Sequence, residues 1–364
     1  MKKKVAVLGA TGSIGKSALD VIAREKDRFE PVLLSAHNNG EALDEAGRLW
    51  PGAKKVLSGR AGGREQLLAA IGSSGADITI NGISGAAGLE PSMAAVDAGS
   101  DLALANKETL VMAGKLVLKR AGEKNVKIIP VDSEHSAIFF LVEAHGYEAL
   151  DEIILTASGG PFRNHSIKEM EKMGPREALA HPTWNMGAKI SVDSATMANK
   201  GLEVMEAAHL FNLPPEKIRI AIHPQSVVHS MIKMKDGAVY AQLSRPDMRL
   251  PIHKALYWPE TKYADFGRLD FDLLSLEFFK PDPEKFPLID LAYEAVKKGG
   301  LYPCAYNAAN EAAVGAFLAG RIGFLDISRV TRYVLDKDWS AQPGDIASVM
   351  EADRLARTMA EKEL

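Results

Sequence analysis

The stretch that decides the fold is Val5-Ala6-Val7-Leu8-Gly9-Ala10-Thr11-Gly12-Ser13-Ile14-Gly15. The apolar start predicts a buried β-strand, the repeated glycines predict a tight turn, and the amphipathic segment 16–26 predicts a helix. Glycine lets the backbone approach a pyrophosphate closely, and the N-terminus of the helix supplies N–H donors for it. We therefore interpret this turn as a dinucleotide-binding site. The alternative is a tight turn with only a structural role.

Strand-like and helix-like segments continue to alternate as far as residue 132. Further predicted strands cover residues 31–35, 55–57, 77–80, 102–105 and 127–131. Strand–helix repetition at this spacing predicts a mostly parallel sheet covered by helices on both faces, with ligands at the carboxyl ends of its strands. We predict a Rossmann-like dinucleotide-binding domain over residues 1–131.

After Asp132 the pattern changes to that of a second domain, which we predict over residues 132–257. Segments 153–156, 190–192 and 218–222 are typical of strands, and Asp236-Gly237 between two apolar runs predicts an antiparallel hairpin. A central α/β catalytic domain with a partly antiparallel sheet is therefore expected.

The rest of the chain predicts a linker and a helical domain. Residues 258–286 are rich in Pro, Asp and Phe without a clear period, and residues 287–364 carry only helix-period patterns. The predicted fold class is thus α/β, with a Rossmann-like domain, a central α/β domain and a small C-terminal helical domain.

Composition excludes several classes of protein. The 364 residues are 46% hydrophobic and 25% charged, as in ordinary globular proteins, and the net charge of -3 does not suit a nucleic-acid binder. No apolar run approaches the roughly 20 residues of a membrane span. The single cysteine, Cys304, excludes a disulfide framework. The segment Lys2–Leu8 is too short and polar for an export signal, so we expect a cytoplasmic protein with no membrane or nucleic-acid partner.

The end of the second predicted strand helps to choose the cofactor. It reads Ser35-Ala36-His37-Asn38-Asn39 and lacks the acid that usually holds the ribose 2′-hydroxyl of NAD. A carboxylate would repel a 2′-phosphate, whereas hydroxyl, amide and imidazole groups can bind one. NADP is therefore favoured. The alternative is that His37 and Asn38 are only turn residues.

Acidic residues indicate a candidate metal site. Asp132-Ser133-Glu134 closes the last parallel strand, and alternation along an extended segment would point its two acids to one side. A helix after residue 192 would place Asn199, Lys200 and Glu203 on one face. Three carboxylates and no thiolate favour Mg²⁺ or Mn²⁺ over Zn²⁺. The alternative is that these acids are solvated loop residues.

A long polar stretch, residues 158–188, shows little periodicity and predicts a lid. Gly159-Gly160 would provide its hinge and Trp184 a water-excluding side chain. The alternative is a surface loop whose Trp184 packs into the core. Five residues would together make a phosphate-binding cradle, although their spacing alone does not reveal it: Ser158, His181, Ser194, Asn199 and Lys200.

These motifs together resemble the 1-deoxy-D-xylulose 5-phosphate reductoisomerase family, over essentially the whole chain. The matching segments are GATGSIG at 9–15, ANKETLV at 105–111, VDSEHSAIF at 131–139, TASGGPF at 156–162, HPTWNMG at 181–187, DSATMANKGLEVMEA at 193–207 and HPQSVVHSM at 223–231. The resemblance implies NADPH- and Mg²⁺- or Mn²⁺-dependent conversion of 1-deoxy-D-xylulose 5-phosphate, a sugar phosphate, to 2-C-methyl-D-erythritol 4-phosphate in the non-mevalonate isoprenoid pathway. It also implies a homodimer formed through the sheet that contains the Asp236-Gly237 hairpin.

The resemblance assigns roles to individual residues. The implied NADPH contacts are Thr11, Gly12, Ser13, Ile14, Ala36, His37, Asn38, Asn106, Glu108 and Gly187. The implied metal ligands, which are also catalytic, are Asp132, Glu134 and Glu203, and Lys107 would border the same site. The implied substrate contacts are Lys107, Ser133, Glu134, Ser158, His181, Trp184, Ser194, Asn199, Lys200 and Glu203.

One segment departs from the family pattern. Members often carry Gly-Lys-Asn or Gly-Gly-Asn where this chain has Ala36-His37-Asn38. Without that lysine, contact with the 2′-phosphate is left to neutral or partly charged donors.

Two other functions stay open on the residues alone. A plain NADP-dependent dehydrogenase of a semialdehyde or hydroxy acid would not need the three acids. A non-catalytic nucleotide sensor would tolerate loss of Lys200 and Glu203. Turnover that depends on a metal ion distinguishes the reductoisomerase from both.

Overall fold

A computed structural model describes residues 1–184, 186–272 and 274–364. Asn185, in the HPTWNMG motif and the predicted lid, and Leu273, in the predicted linker, lie outside the described residues. The chain divides into two compact units. Unit 1 comprises Met1–Thr109, Lys115–Phe139 and Asp247–Arg268, and unit 2 comprises Leu110–Gly114, Phe140–Pro246 and Leu269–Leu364.

Unit 1 contains a six-stranded parallel sheet. Its strands are β1 Lys3–Leu8, β2 Phe29–Ala36, β3 Lys54–Leu57, β4 Ile78–Asn81, β5 Asp101–Leu104 and β6 Ile128–Pro130. They lie in the order β3-β2-β1-β4-β5-β6, which is that of a Rossmann sheet. Residues 5–8 of the central strand β1 are fully buried, as expected where both faces are covered. The predicted Rossmann-like fold is confirmed.

Helices connect successive strands of this sheet. They are α1 Ser13–Arg24, α2 Gly40–Gly47, α3 Gly63–Gly72, α4 Leu89–Asp97 and α5 Glu108–Lys124, and α6 Ser133–His145 follows β6. In α1, Gly15, Ala18 and Ile22 follow one another at intervals of three and four residues, and together with Val21 they form its buried face. The apolar spacing in the sequence therefore sets which side of α1 packs on the sheet.

Unit 2 contains a four-stranded mixed sheet. Its strands are β7 Leu150–Ala157, β8 Ile218–Ile222, β9 Val228–Met234 and β10 Val239–Leu243, in the order β10-β9-β7-β8. Strands β7 and β8 are parallel, and the other pairs are antiparallel. Gly237 has φ of 91°, and the Asp236 carboxylate accepts a 2.9 Å hydrogen bond from Ala238 N. The predicted Asp236-Gly237 hairpin is confirmed.

Helices make up the remainder of the described elements. Unit 2 has α7 Ile167–Met170, α8 Pro175–Ala178, α9 Ala188–Ala195 and α10 Ala198–Leu210, followed by α11 Arg249–Tyr257 in unit 1 and by α12 Pro287–Lys298, α13 Tyr302–Leu318, α14 Asp326–Leu335 and α15 Ile346–Glu361 in unit 2. Within the described chain, no helix combines the length and apolar composition needed to cross a membrane.

The domain boundaries stay predictions. The predicted helical segment 287–364 lies in unit 2 together with most of segment 132–257, whereas α11, at the end of that segment, belongs to unit 1. The described residues of the predicted linker 258–286 form no helix, and their only strand-like pairing is an isolated bridge between Phe279 and Ile222.

One predicted strand, residues 190–192, is wrong. These residues lie inside helix α9. The β-branched Ile190 and Val192 suggested a strand, but β propensity is weak against tertiary packing. Helical spacing buries Val192 and Ala195 together and brings Lys189 Nζ within 3.0 Å of Asp193 Oδ2.

The reason given for grouping Asp132 with Glu134 is also wrong. Helix α6 begins at Ser133, and Ser136 N donates to Asp132 O at 2.8 Å, so the segment is a helix start and not an extended strand end. The two carboxyl groups nevertheless lie within hydrogen-bonding distance of each other. Acids and serine are favoured at helix N-termini, a signal present in this segment.

The C-terminal helices pack around α13. The fully buried Tyr306 donates from its hydroxyl to Leu288 O at 3.0 Å. Gly201 allows α10 to approach α12 closely, because a Cβ on Gly201 would lie 2.7 Å from Cβ of Ala292 in α12. Cys304 is buried in the same core, its Sγ is 3.4 Å from Val349 O, and burial raises the pKa of its thiol.

Candidate active site

The glycine turn after β1 lies where the strand order of the unit 1 sheet reverses, between β1 and β4. Gly9 has φ of 77°, and a Cβ there would lie 2.8 Å from the carbonyl oxygen of Gly82, which follows β4. Only glycine fits both conditions. The next residues, Thr11, Gly12, Ser13 and Ile14, are at least partly exposed at the start of α1. Such a crevice at the carboxyl ends of parallel strands suits a dinucleotide pyrophosphate.

The turn after β2 is held by the turn after β3. Ser58 N donates to Ala36 O and Gly59 N donates to His37 O, both at 2.9 Å. The His37 ring adds a 3.3 Å contact from Nδ1 to Ser58 Oγ. Residues 36–38 therefore form an ordered edge at the carboxyl end of β2, where the adenosine ribose of a Rossmann ligand lies.

Asn106 is buried, and its side-chain amide forms hydrogen bonds within the protein. Its Nδ2 donates to Ile83 O at 2.7 Å and to Gly85 O at 2.9 Å, and its Oδ1 accepts from Thr109 N at 3.0 Å. Glu108 is equally buried and accepts from Asn106 at 3.0 Å. Through these bonds the pair shapes the loop after β4.

Asp132, one of the acids of the predicted metal site, has a buried cationic partner. Lys107, which is 5% exposed, forms an ion pair with Asp132. Burial would raise the pKa of Asp132, but the charges of Lys107 and His135 outweigh burial and hold that pKa well below its ordinary value. Asp132 is therefore a carboxylate throughout the neutral range. Ser133 Oγ donates to Glu134 Oε2 at 2.6 Å, and this hydrogen bond orients the Glu134 carboxylate.

The predicted face of α10 is confirmed. Asn199 Nδ2 donates to Glu203 Oε1 at 2.7 Å, and Lys200 Nζ lies 2.5 Å from Glu203 Oε2. Glu203 and Lys200 are buried. A buried carboxylate flanked by an ammonium and an amide is held in one orientation, as a ligand or substrate contact must be.

A tight turn brings the end of α9 next to the start of α10. Met197 has φ of 61°, an uncommon left-handed conformation for a residue with a side chain, and Lys200 N donates to Met197 O at 3.1 Å. Ser194, in the last turn of α9, therefore belongs to the same local structure as Asn199 and Lys200.

Ser158 and His181 lie far apart in sequence and are brought together in unit 2. His181 Nδ1 accepts backbone N–H groups of Thr183 at 3.1 Å and Trp184 at 2.9 Å, so we assign the proton of the neutral ring to Nε2, which donates to Ser158 Oγ at 2.9 Å. Burial, and after it the charge of Arg163, lowers the pKa of His181 and favours that neutral form.

This arrangement makes the Ser158 hydroxyl a donor. Its oxygen already accepts from His181 and, at 3.2 Å, from Gly160 N. A hydroxyl has two acceptor positions and one proton, so the proton is left to be donated to a ligand oxygen. Spacing in the sequence carried no signal of the Ser158–His181 pair.

Within the predicted lid, Trp184 contacts a residue of the unit 2 sheet. Trp184 is half-buried, and its ring meets that of His229 edge-on at 6.3 Å. The alternative in which Trp184 is a core residue is not supported. Gly187 is exposed, and a Cβ there would touch nothing within 4 Å, so its backbone is accessible.

The predicted hinge at Gly159-Gly160 has another explanation. Both glycines have left-handed φ, of 82° and 68°, and a Cβ on Gly160 would lie 3.2 Å from Cα of Ala195. Close approach to α9 accounts for glycine here without any hinge motion. The lid itself stays a prediction.

His135 is the neighbour of Asp132 that sequence reasoning missed. It is fully buried and lies one helical turn after Asp132, whose pKa it helps to lower. The spacing of three residues was a usable signal, but only a helix, and not the expected strand, places positions three apart on one face.

The chain matches three family models, all of 1-deoxy-D-xylulose 5-phosphate (DXP) reductoisomerase. Residues 5–51 and 51–114 match the family model of 1-deoxy-D-xylulose 5-phosphate reductoisomerase, residues 128–211 match that of its C-terminal domain, and residues 243–359 match a further DXP reductoisomerase C-terminal domain. Curated reductoisomerases of this name from Treponema denticola and Chlorobaculum tepidum are each 46% identical to the chain. The alignments cover 99% of this chain and 96% of the first relative, and 98% of both this chain and the second.

Solved structures agree with the sequence relatives. The reductoisomerase from Zymomonas mobilis in complex with NADPH has a TM-score of 0.91 and 44% identity, over 100% of this chain and 99% of that one. A DOX-P reductoisomerase in complex with NADPH, fosmidomycin and magnesium has a TM-score of 0.88 and 35% identity, over 99% and 98% of the two chains.

Proposed function

Because the chain belongs to the 1-deoxy-D-xylulose 5-phosphate reductoisomerase family, we propose that it converts 1-deoxy-D-xylulose 5-phosphate to 2-C-methyl-D-erythritol 4-phosphate. The reaction is an NADPH- and divalent-metal-dependent rearrangement and reduction in the non-mevalonate isoprenoid pathway. The observation that carries the proposal is the carboxylate Glu203, buried and held by Asn199 and Lys200, in a chain that also has a Rossmann glycine turn.

The glycine turn fits NADPH. Residues Thr11, Gly12, Ser13 and Ile14 supply an accessible helix N-terminus for the pyrophosphate. The edge at Ala36, His37 and Asn38 would receive the adenosine ribose. Asn106 and Glu108 would act through the loop after β4, and Gly187 offers an open backbone position. Relatives solved with NADPH support this assignment.

The acidic residues fit a hard divalent ion. Asp132 and Glu134 place two carboxyl groups within hydrogen-bonding distance, and carboxylate oxygens are the ligands that such an ion prefers. We assign Asp132, Glu134 and Glu203 as the ligands of Mg²⁺, which the solved relatives contain, or of Mn²⁺.

The remaining polar residues suit a sugar phosphate. The Ser158 hydroxyl has a proton to donate, and the Lys200 ammonium can pair with a hydroxyl or phosphate oxygen. Ser133, His181, Ser194 and Asn199 would complete the contacts. Lys107 would border the substrate while its ion pair keeps Asp132 ionised.

When bound, a divalent ion stabilises negative charge on the substrate oxygens, and NADPH supplies the hydride. The residues of the chain position the reactants and exclude water. The Lys107–Asp132 ion pair holds one carboxylate without a proton, and Asn199 and Lys200 hold Glu203 in one orientation. Trp184 would cover the carbon chain of the substrate, and contacts to the remote phosphate would help to hold the lid closed.

Two further parts of the proposal concern the state of the protein. An exposed edge on β10, where Val239 is 51% and Tyr240 is 38% exposed, supports a homodimer formed through the unit 2 sheet. The buried, unpaired Cys304 supports a reducing cytoplasmic location. Light scattering of the purified protein tests the dimer.

The experiment that tests the function follows NADPH oxidation in the presence of 1-deoxy-D-xylulose 5-phosphate, with mass spectrometry of the product. Loss of turnover with EDTA, and its recovery with Mg²⁺ or Mn²⁺, is the expected result. A folded protein that binds NADPH but does not turn over this substrate with either ion contradicts the proposal. Metal-independent oxidation would instead indicate a plain dehydrogenase.

A further inference from the structure

The turn after β3 packs directly against the edge that would receive the adenosine ribose. Besides the two backbone hydrogen bonds from Ser58 and Gly59, the glycine itself is required, because a Cβ on Gly59 would lie 2.9 Å from His37 O. The residue that follows Gly59 is therefore held beside the 36–38 turn.

That residue is Arg60, and its guanidinium lies at the start of α2. Its Nη2 would be 3.9 Å from a Cβ placed on Gly40, two residues after Asn38. Arg60 is exposed, and within the described residues its guanidinium forms no hydrogen bond or ion pair. The neighbouring carboxylate Asp44 feels the charge of Arg60, but its hydrogen-bonded partner is Lys55, at 2.5 Å. A positive charge thus remains available at this edge.

The guanidinium of Arg60 suits the 2′-phosphate of NADP. A Rossmann protein that uses NADP places a cationic group near the end of its second strand, since the 2′-phosphate is a dianion whose oxygens accept charge-assisted hydrogen bonds. Arginine provides a fork of donors for such a group. In this chain the 36–38 turn contains no lysine or arginine, and Arg60 reaches the same edge from the neighbouring strand.

We propose that Arg60 binds the 2′-phosphate of NADPH and, with His37, Ser58 and Asn38, sets the preference for NADPH over NADH. This inference rests on the proposed function, since it assumes that NADPH is the cofactor. It changes the expectation that only neutral or partly charged donors reach the 2′-phosphate. The selectivity for NADP then comes from the turn after β3 and not from the turn after β2 alone.

The test measures equilibrium binding of NADPH and of NADH by titration calorimetry, without substrate or metal. The variant Arg60→Gln is expected to weaken NADPH binding by about 10- to 100-fold, as for loss of charge-assisted hydrogen bonds, and to leave NADH binding within about twofold. Arg60→Lys keeps the charge but loses the fork, so its NADPH affinity should fall between those of Arg60→Gln and the unchanged protein.

Lys54→Gln is the matched control, because it removes the same charge from the exposed amino end of the same strand, β3. Its NADPH affinity should not change. If Arg60→Gln binds NADPH as tightly as the unchanged protein, or loses NADPH and NADH affinity equally, the inference is wrong although the proposed function stands. If the unchanged protein itself binds no NADPH, the proposed function fails, and this inference with it.

Discussion

Asn310 donates a 2.7 Å hydrogen bond from its Nδ2 to Oδ1 of Asp193, and both residues are almost completely buried. The bond joins α13 of the C-terminal helices to α9, whose last turn carries Ser194. Lys189 Nζ, at 3.0 Å, holds the other carboxylate oxygen of Asp193. The C-terminal helices therefore support a proposed substrate contact although none of the assigned site residues lies in them.

Replacing Asn310 with alanine should therefore affect both stability and substrate binding. A buried carboxylate would lose a hydrogen-bond donor, so the free energy of unfolding should fall by about 2 kcal/mol. The KM for substrate should rise because Ser194 loses its support. Urea unfolding and steady-state kinetics measure the two effects. Gln66→Ala, at an exposed position of α3, should change neither quantity. An unchanged KM in Asn310→Ala would show that the Asn310–Asp193 hydrogen bond does not support substrate binding.

Replacing Glu203 with glutamine should remove turnover while NADPH still binds. The substitution keeps the shape of the side chain but removes the negative charge proposed to bind the metal ion and paired with Lys200. We expect kcat to fall by at least about 100-fold, as for loss of a metal-site residue. Stopped-assay kinetics and NADPH titration provide the two readouts. Glu216→Gln, at an exposed position, is the control, and equal loss of turnover and NADPH binding would argue against the metal role.

Replacing Trp184 with alanine should weaken the proposed lid. Loss of the ring removes its contact with His229 and a large part of the apolar surface that would cover the substrate. We expect kcat/KM to fall about 10- to 100-fold, because positioning and exclusion of water would both suffer. The conservative Trp184→Phe should recover part of the loss. Unchanged kcat and KM in the alanine variant would show that Trp184 does not cover the substrate.

Acid should loosen the loop that contains His181. Burial lowers the pKa of His181 in the folded protein, so between that pKa and the unfolded value of about 6.5 the unfolded chain binds more protons. The stabilisation from the neutral ring is complete above about pH 6.5 and is lost as the pH falls through the folded pKa. Proton NMR of the imidazole should show a midpoint below that of a free histidine.

Stability against urea provides a second check on His181. The unfolding free energy of the unchanged protein should fall more steeply between about pH 7 and pH 5 than that of His181→Gln, which has no group to protonate. If the unfolding free energy of the two proteins depends on pH in the same way, protonation of His181 is not linked to folding.

Much of the Rossmann unit could be predicted from sequence because its signals are local. The apolar run Val5–Leu8 and the glycine turn after it each need only neighbouring residues to be interpreted. The Asn199–Lys200–Glu203 face was predictable for the same reason, since one helical turn sets it.

Other parts of the site depend on tertiary contacts. The strand predicted at 190–192 is a helix because its neighbours bury Val192 and pair Asp193, and no nearby residue signalled those partners. The hydrogen bond between Ser158 and His181 joins residues 23 apart in sequence. The position of Arg60 beside the start of α2 likewise depends on how two adjacent strands align.

The environment of Cys304 has a practical consequence for labelling. A thiol that is fully buried and whose pKa is raised by that burial contains almost no thiolate, the form that attacks alkylating reagents. Because the chain contains no second cysteine, one introduced at an exposed position would react alone with a fluorophore or spin label. The protein can therefore be labelled site-specifically without first replacing its native cysteine.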